Sequence, residues 1–427
     1  MTNALAAPQV SENAAEFDFD GTVLFDDGFR IPSLPSLLSS ALSFNAIIDP
    51  EILINCYRQC AKKGNAPGPD GLTYADFGPS ERGDVCRKTS EQLRAGTWRP
   101  SEHRVVHILR VDGQYRELRL RNVMSRVVST AVAAAVSQYL RPLNLPCVYS
   151  LAGQSTWAVF QALERAVRED GLFIFGQDDI RRAFDNLRVD DCVADYARHI
   201  RDPRLLGLAE KILHGSSHQP NRIGIAQGDP LSSNTMNLRL VHVLDSATPV
   251  RDPVCPLHLR YADNLAYLGR SVFSVEAKRS QEREYLANAG LELKQESGPP
   301  IDLREATTVL LGMEMTAPQS QLEFCPPPTA LSALTESLIE AYEAADIRDT
   351  ARSKLRGWIS AYGPAWRNEA IPQHVSRIRR AIREAGFIGL VTSSDIRRLM
   401  AGANERWQRL CEKNSRAAPW WRATGPT

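Results

Sequence analysis

GLFIFGQDDI (171–180) and HLRYADNLAYLG (258–269) are the two stretches on which the fold turns. The first reads as a buried strand that ends on acidic residues. The second reads as a similar strand interrupted by a polar tight turn. If the two strands are neighbours in one sheet, Asp179 and Asp263 converge although they lie far apart in sequence. Convergent carboxylates are hard oxygen ligands of the kind that hold Mg²⁺. A single Asp at a strand end is ordinarily a turn residue or a helix cap, so the pair takes its meaning from its surroundings.

Working outward, KKGNAPGPDGLTYADF (62–77) is Gly/Pro punctuation before a helical pattern over 81–95. RVVHILRV and YRELRL then alternate on either side of Asp112-Gly113, the pattern of a β-hairpin with basic residues on it. Amphipathic runs over Ser125–Leu140 and Thr156–Glu169 predict helices, and from about Leu331 the chain reads as mostly helical. The expected class is α+β. No internal repeat interrupts this order.

The chain has 427 residues, 43% of them apolar, enough to bury a large core in two or three structural units. Residues 1 to about 45, rich in Ser, Ala, Pro and acidic groups, read as an extension. No run of about 18 apolar residues is free of charge and no basic leader precedes an apolar core, so neither membrane nor secretion is expected. The expected setting is a reducing cytoplasm, since the eight cysteines are scattered and Cys56 and Cys60 share a helix face rather than a CxxC knuckle. The net charge of +1 conceals basic residues gathered towards the C-terminus and acidic ones in the first thirty positions and central strands. A basic channel for phosphates and an acidic pocket for metals would cancel in that sum.

Taken in order, the segments from about Gly64 to Met315 resemble the blocks of reverse transcriptases, especially the prokaryotic group II intron-like branch. GNAPGPDG (64–71), HILRVDGQYRELRLRNVMSRVVSTAV (107–132), SLAGQSTWAVFQAL (150–163), DIRRAFDNL (179–187), IAQGDPLSSNTMNLRLVHVLD (225–245), YADN (261–264) and VLLGMEM (309–315) carry it. The resemblance implies a right-hand polymerase, with an N-terminal extension (1–60), fingers and palm (61–320) and a helical thumb (321–427). It implies RNA-directed DNA polymerisation with Mg²⁺, or Mn²⁺ as the alternative, in which two ions about 3.5–4 Å apart activate a primer 3′-hydroxyl and stabilise leaving pyrophosphate. The implied partners are an RNA template or noncoding RNA, a DNA primer and product, and dNTPs, with a protein partner or second copy left open.

Residue by residue, the resemblance makes Asp179 and Asp263 metal ligands, with the Ile180 carbonyl as a further one, and places Asn264 beside them. Arg110 and Arg116 on the hairpin would meet the incoming triphosphate, since a guanidinium fork suits phosphate oxygens. The alternative for both is a solvated hairpin face. Phe184, five residues after Asp179, stands where reverse transcriptases keep an aromatic ring that clashes with a 2′-hydroxyl, though a Phe there serves equally as core. Gln227 and Gly228 would lie against nucleotide and template, shaped by Pro230 and Ser232.

Two positions depart from the pattern. Relatives carry a second aspartate where this chain has Asn264, which keeps the shape and loses the charge. They often carry a Lys where this chain has Ser297; the nearest, Lys294, reads as a surface lysine at a strand end. Beyond Gln321, Arg352, Arg356, Trp358, Tyr362 and Trp366, with Arg377, Arg379, Arg380 and Arg383, fit either a duplex-gripping surface or a helical bundle with aromatics inside. Arg352, Arg356, Trp358, Arg377 and Arg380 are the nucleic-acid-binding candidates. No nuclease-like acidic set follows. The leading role is phage defence with a structured noncoding RNA. An intron maturase is the main alternative; retron-type and diversity-generating enzymes fit less well, and a protein-primed or template-independent polymerase and a non-catalytic RNA-binding scaffold stay open.

Overall fold

The computed structural model describes residues 43–109, 115–140, 147–150, 155–215, 222–246, 257–294, 298–367, 371–415, 419 and 421. Its described residues form helices and small antiparallel sheets, an α+β protein. They divide into two compact units. Among the described residues, one takes 43–140 together with 187–238; the other takes 147–186 together with 239 onward. Both are discontinuous in sequence.

In the first unit, strands β1 (Arg104–Leu109) and β2 (Tyr115–Leu120) pair antiparallel, with Ile108 opposite Arg116. Residues 110–114, which include Arg110 and the Asp112-Gly113 turn, lie outside the described residues. The Gly/Pro stretch before the hairpin is clamped by arginines: Arg104 Nη1 donates to the Pro67 carbonyl and Arg126 Nη2 to that of Ala66. Gly68 is required by close approach, since a Cβ there would stand 2.6 Å from Asn122 Cα. The helix expected over 81–95 spans Pro79–Arg94, and the Ser125–Leu140 run forms Val123–Leu140. Cys56 and Cys60 both sit on the Pro50–Lys63 helix.

The second unit holds a four-stranded sheet in which β3 (Ile174–Asp179) lies beside β5 (Asn264–Gly269), which pairs with β4 (Leu257–Tyr261) on its other side. The short β6 (Ile301–Asp302) completes the order β4-β5-β3-β6. Alternation along each strand gives this sheet two unlike faces. One carries Phe175, Leu259, Ala266 and Leu268 into an apolar core with Phe160 and Leu163 of the Thr156–Asp170 helix. The other faces the Val272–Asn288 helix and is polar. Helix and sheet lie close at Gly176, where a Cβ would come within 2.8 Å of Val275 Cγ1.

A separate antiparallel sheet follows, β7 (Thr308–Leu310), β8 (Met313–Thr316) and β9 (Glu323–Cys325). The turn joining its first two strands puts Leu311 and Gly312 at φ 48° and 75°. Helices Pro328–Glu340, Ile347–Ala361, Ile371–Glu384 and Ser393–Ser415 close the chain. Among the described residues, no helix is long and apolar enough to cross a membrane.

Candidate functional site

β4 and β5 form a hairpin in which Tyr261 pairs with Asn264 across a two-residue turn. Ala262 enters that turn at φ 55°, a left-handed conformation that L-residues adopt at a cost. β3 runs alongside with Asp179 opposite Asn264, and the Ile180 amide donates to the Asp263 carbonyl at 3.0 Å. The sheet therefore brings Asp179, Ile180, Asp263 and Asn264 together at one end. Asn264 Nδ2 lies 3.4 Å from Asp263 Oδ1.

Of the two adjacent aspartates in QDDI, strand parity separates the roles. Asp178 turns under the Val272–Asn288 helix, buried, and takes a two-pronged contact from Arg279: Nη2 to Oδ1 at 2.8 Å and Nε to Oδ2 at 2.9 Å. Asp179 turns the other way and keeps 30% of its side chain exposed. Its Oδ2 meets Lys294 Nζ at 3.0 Å, while its Oδ1 is buried without a hydrogen-bond partner. An orphaned carboxylate oxygen at the end of a strand, beside a second aspartate, is a donor suited to a hard divalent cation.

Lys294 is held there by an antiparallel bridge between Ile180 and Leu293. In this bridge the Arg181 amide donates to the Glu292 carbonyl and the Lys294 amide to that of Asp179. Neither bond uses the Ile180 carbonyl. In sequence Lys294 looks like a surface lysine, and 41% of it is exposed; its position against Asp179 comes from a pairing between segments more than a hundred residues apart. Ser297 lies outside the described residues.

Phe184 sits half-buried on the short helix Ala183–Asn186, entered through Arg182 at φ 48°. It is therefore not a core residue of its unit.

The first unit gathers a different set. With its amide set to satisfy both atoms, Gln227 accepts from Arg116 Nη2 (2.9 Å) and Nε (3.1 Å) and donates to the Glu117 carbonyl (3.2 Å). The Arg119 amide donates to the Gln227 carbonyl at 2.8 Å, so the QGDPLS turn is stitched to β2. Gly228 holds φ 103°, which only glycine adopts readily. Asp229 anchors the turn from within: it accepts from Ser129 Oγ and from the Leu231 amide (3.0 Å), and Arg121 Nε stands 3.2 Å from its Oδ2. Arg121 and Asp229 escaped the sequence reading because an isolated arginine and an aspartate before Pro230 give no sign of meeting in a core.

Of the C-terminal candidates, Arg352, Arg356, Arg377 and Arg380 are exposed. Arg352 donates to the Leu390 carbonyl and pairs with Asp349. The aromatics turn inward, Trp358 only in part. Trp366 and Tyr362 are buried, and the half-buried Trp358 lies tilted against both with its Nε1 donating to the Ala330 carbonyl at 3.1 Å. The bundle reading accounts for the rings and leaves the guanidinium groups on the surface.

On the polar face of the sheet lies a group that the sequence did not disclose. Cys147, Asp245 and His258, all buried, place donor atoms within 4.8 Å of one another and could hold a metal ion. Compared with protein-family models and with curated proteins, the chain matches none.

Proposed function

We propose that this protein is an RNA-directed DNA polymerase of right-hand architecture, in which the sheet β4-β5-β3-β6 is the palm. The observation that carries the reading is the register of Asp179 against the Asp263-Asn264 turn, with Asp179 Oδ1 buried and unpartnered. Asp179 and Asp263, with the Ile180 carbonyl, would hold Mg²⁺ or Mn²⁺. Ions bound there supply activation of a 3′-hydroxyl and neutralisation of departing pyrophosphate.

The chain's own residues do the positioning. The Arg279–Asp178 pair fixes β3 from below, the Ile180 amide pins the turn at the Asp263 carbonyl, and Lys294 holds one oxygen of Asp179 in place. Phe184 presents a ring that would exclude a 2′-hydroxyl. Arg116, Gln227 and Gly228 are assigned to nucleotide binding by the same resemblance. The exposed arginines of the C-terminal helices would grip template-primer phosphates as the thumb. The biological setting proposed is phage defence with an associated noncoding RNA.

A second reading, an RNA-binding scaffold without turnover, is favoured by one feature: Asn264 supplies an amide where relatives carry a carboxylate, and that amide points to Asp263. One experiment separates the two. The protein is purified with its native flanking DNA co-expressed, and the bound RNA and any DNA are sequenced. DNA complementary to the bound RNA, lost in Asp179→Ala and Asp263→Ala, supports the polymerase. Tight RNA binding without DNA, unchanged in both variants, supports the scaffold.

A further inference from the structure

The helix-facing side of the sheet carries a buried polar cluster. His258 on β4 is 3% exposed, and its Nδ1 lies 3.0 Å from Glu282 Oε1 of the Val272–Asn288 helix. Its Nε2 points the opposite way, towards Asp245 Oδ1 at 3.5 Å. Asp245 lies on a π-helical turn, Val241–Asp245, a local widening of the helix that is common at functional sites. Cys147 comes from a segment bridged to the edge of β4: the Arg260 amide donates to the Cys147 carbonyl at 2.7 Å, and the Tyr149 amide to that of Arg260 at 2.8 Å. The thiol is buried and free.

We propose that Cys147, Asp245 and His258 form a zinc site, separate from the carboxylates at the end of β3. The 3.5 Å between His258 Nε2 and Asp245 Oδ1 is long for a hydrogen bond, yet matches the edge of about 3.3–3.5 Å expected between N and O ligands of tetrahedral Zn²⁺. Glu282 on Nδ1 is the carboxylate partner that orients a zinc-bound imidazole through its other nitrogen. A thiolate, an imidazole and one carboxylate suit Zn²⁺ rather than Mg²⁺, and three protein ligands leave the fourth position to water.

Glu282 and Asp245 hold the His258 imidazole up to about 9 although burial opposes its charge, and burial pushes the Cys147 thiol well above its ordinary value. Zn²⁺ takes a thiolate and a neutral imidazole, so binding displaces whatever protons Cys147 and His258 carry, beside the Arg260–Asp245 and Lys278–Glu282 pairs. Arg260 links the cluster to the turn, because it holds Asp245 Oδ2 through Nη2 at 2.7 Å and the Ala262 carbonyl through Nη1 at 2.9 Å. The site ties the Cys147 segment, the π turn and β4 behind the residue that precedes Asp263.

The test uses the full chain. Purified protein is incubated with excess Zn²⁺, desalted and assayed by elemental analysis; a Co²⁺-exchanged sample is read for the thiolate-to-cobalt absorption band. We expect about one equivalent of Zn²⁺ in the wild type and in Asp179→Asn, and loss of both metal and band in Cys147→Ser and His258→Ala. A wild type that holds less than about a tenth of an equivalent, or whose Co²⁺ form lacks a thiolate band, overturns the site whatever the variants do. Full occupancy in a folded Cys147→Ser protein overturns it equally.

Discussion

Asp178 and Asp179 are neighbours with the same side chain, and the structure gives them opposite fates on substitution. Asp178→Ala leaves the Arg279 guanidinium, 3% exposed, without its two-pronged carboxylate. Removing one partner of a buried pair costs up to about 3–5 kcal/mol when the remaining charge is left desolvated, and the contacts that Arg279 keeps with Glu276 and the Gly298 carbonyl place this variant towards the lower end. For a unit of this size that corresponds to a melting shift of roughly 6–20 °C. Asp179→Asn disturbs only a half-exposed pair with Lys294, whose loss is worth no more than about 1 kcal/mol. The double variant Asp178→Ala/Arg279→Met removes both charges and should recover most of the loss. Thermal unfolding followed by circular dichroism, with all four proteins in one buffer, reads these differences directly. An Asp178→Ala protein as stable as wild type, or an Asp179→Asn protein more than about 2 kcal/mol less stable, would refute the parity argument.

Two other predictions test separate parts of the account. Phe184→Ala should raise incorporation of ribonucleotides relative to deoxynucleotides by about tenfold or more, measured by competition in primer extension; an unchanged ratio would remove the ring from discrimination. His103 is half-buried with its Nε2 enclosed and unpartnered, and desolvation, with help from Arg121 and Arg119, lowers its pKa to about 4. Because the folded pKa lies below the unfolded one of about 6.5, its contribution is complete above that value and is lost as pH falls towards 4. Relative to His103→Gln, the wild type should lose up to about 2 kcal/mol between pH 7 and pH 5 in denaturant unfolding, and parallel pH profiles would contradict this.

Local pattern carried the strands and most helices. The apolar runs before Asp179 and around YADN became β3, β4 and β5, because strand length, alternation and the tight turn are short-range properties. The helical run expected over Thr156–Glu169 ends one residue later, where Gly171 takes a left-handed C-cap at φ 61°. What escaped was everything that depends on strand parity or on distant pairing. No feature of QDDI shows which aspartate faces the Val272–Asn288 helix; that follows from Gly176, whose missing side chain admits the helix on the same face as Asp178. Lys294 meets Asp179 only through the bridge at Leu293. Cys147, Asp245 and His258 come from three separate segments, at spacings that match no metal motif. Trp358, Tyr362 and Trp366, spaced four residues apart, fitted a stacking surface and a buried stripe equally, and packing chose the stripe for Tyr362 and Trp366.

The central claim is that the carboxylates at the end of β3 and in the β4–β5 turn catalyse DNA synthesis on RNA. The most direct measurement is extension of a labelled DNA primer on a defined RNA template with dNTPs and Mg²⁺, for the wild type and for Asp179→Asn, each first shown to melt at the same temperature. The account predicts template-directed extension by the wild type, abolished by chelation and by Asp179→Asn. Extension that persists in Asp179→Asn, or none by the wild type with Mg²⁺ or Mn²⁺ on either defined or co-purified RNA, would contradict it.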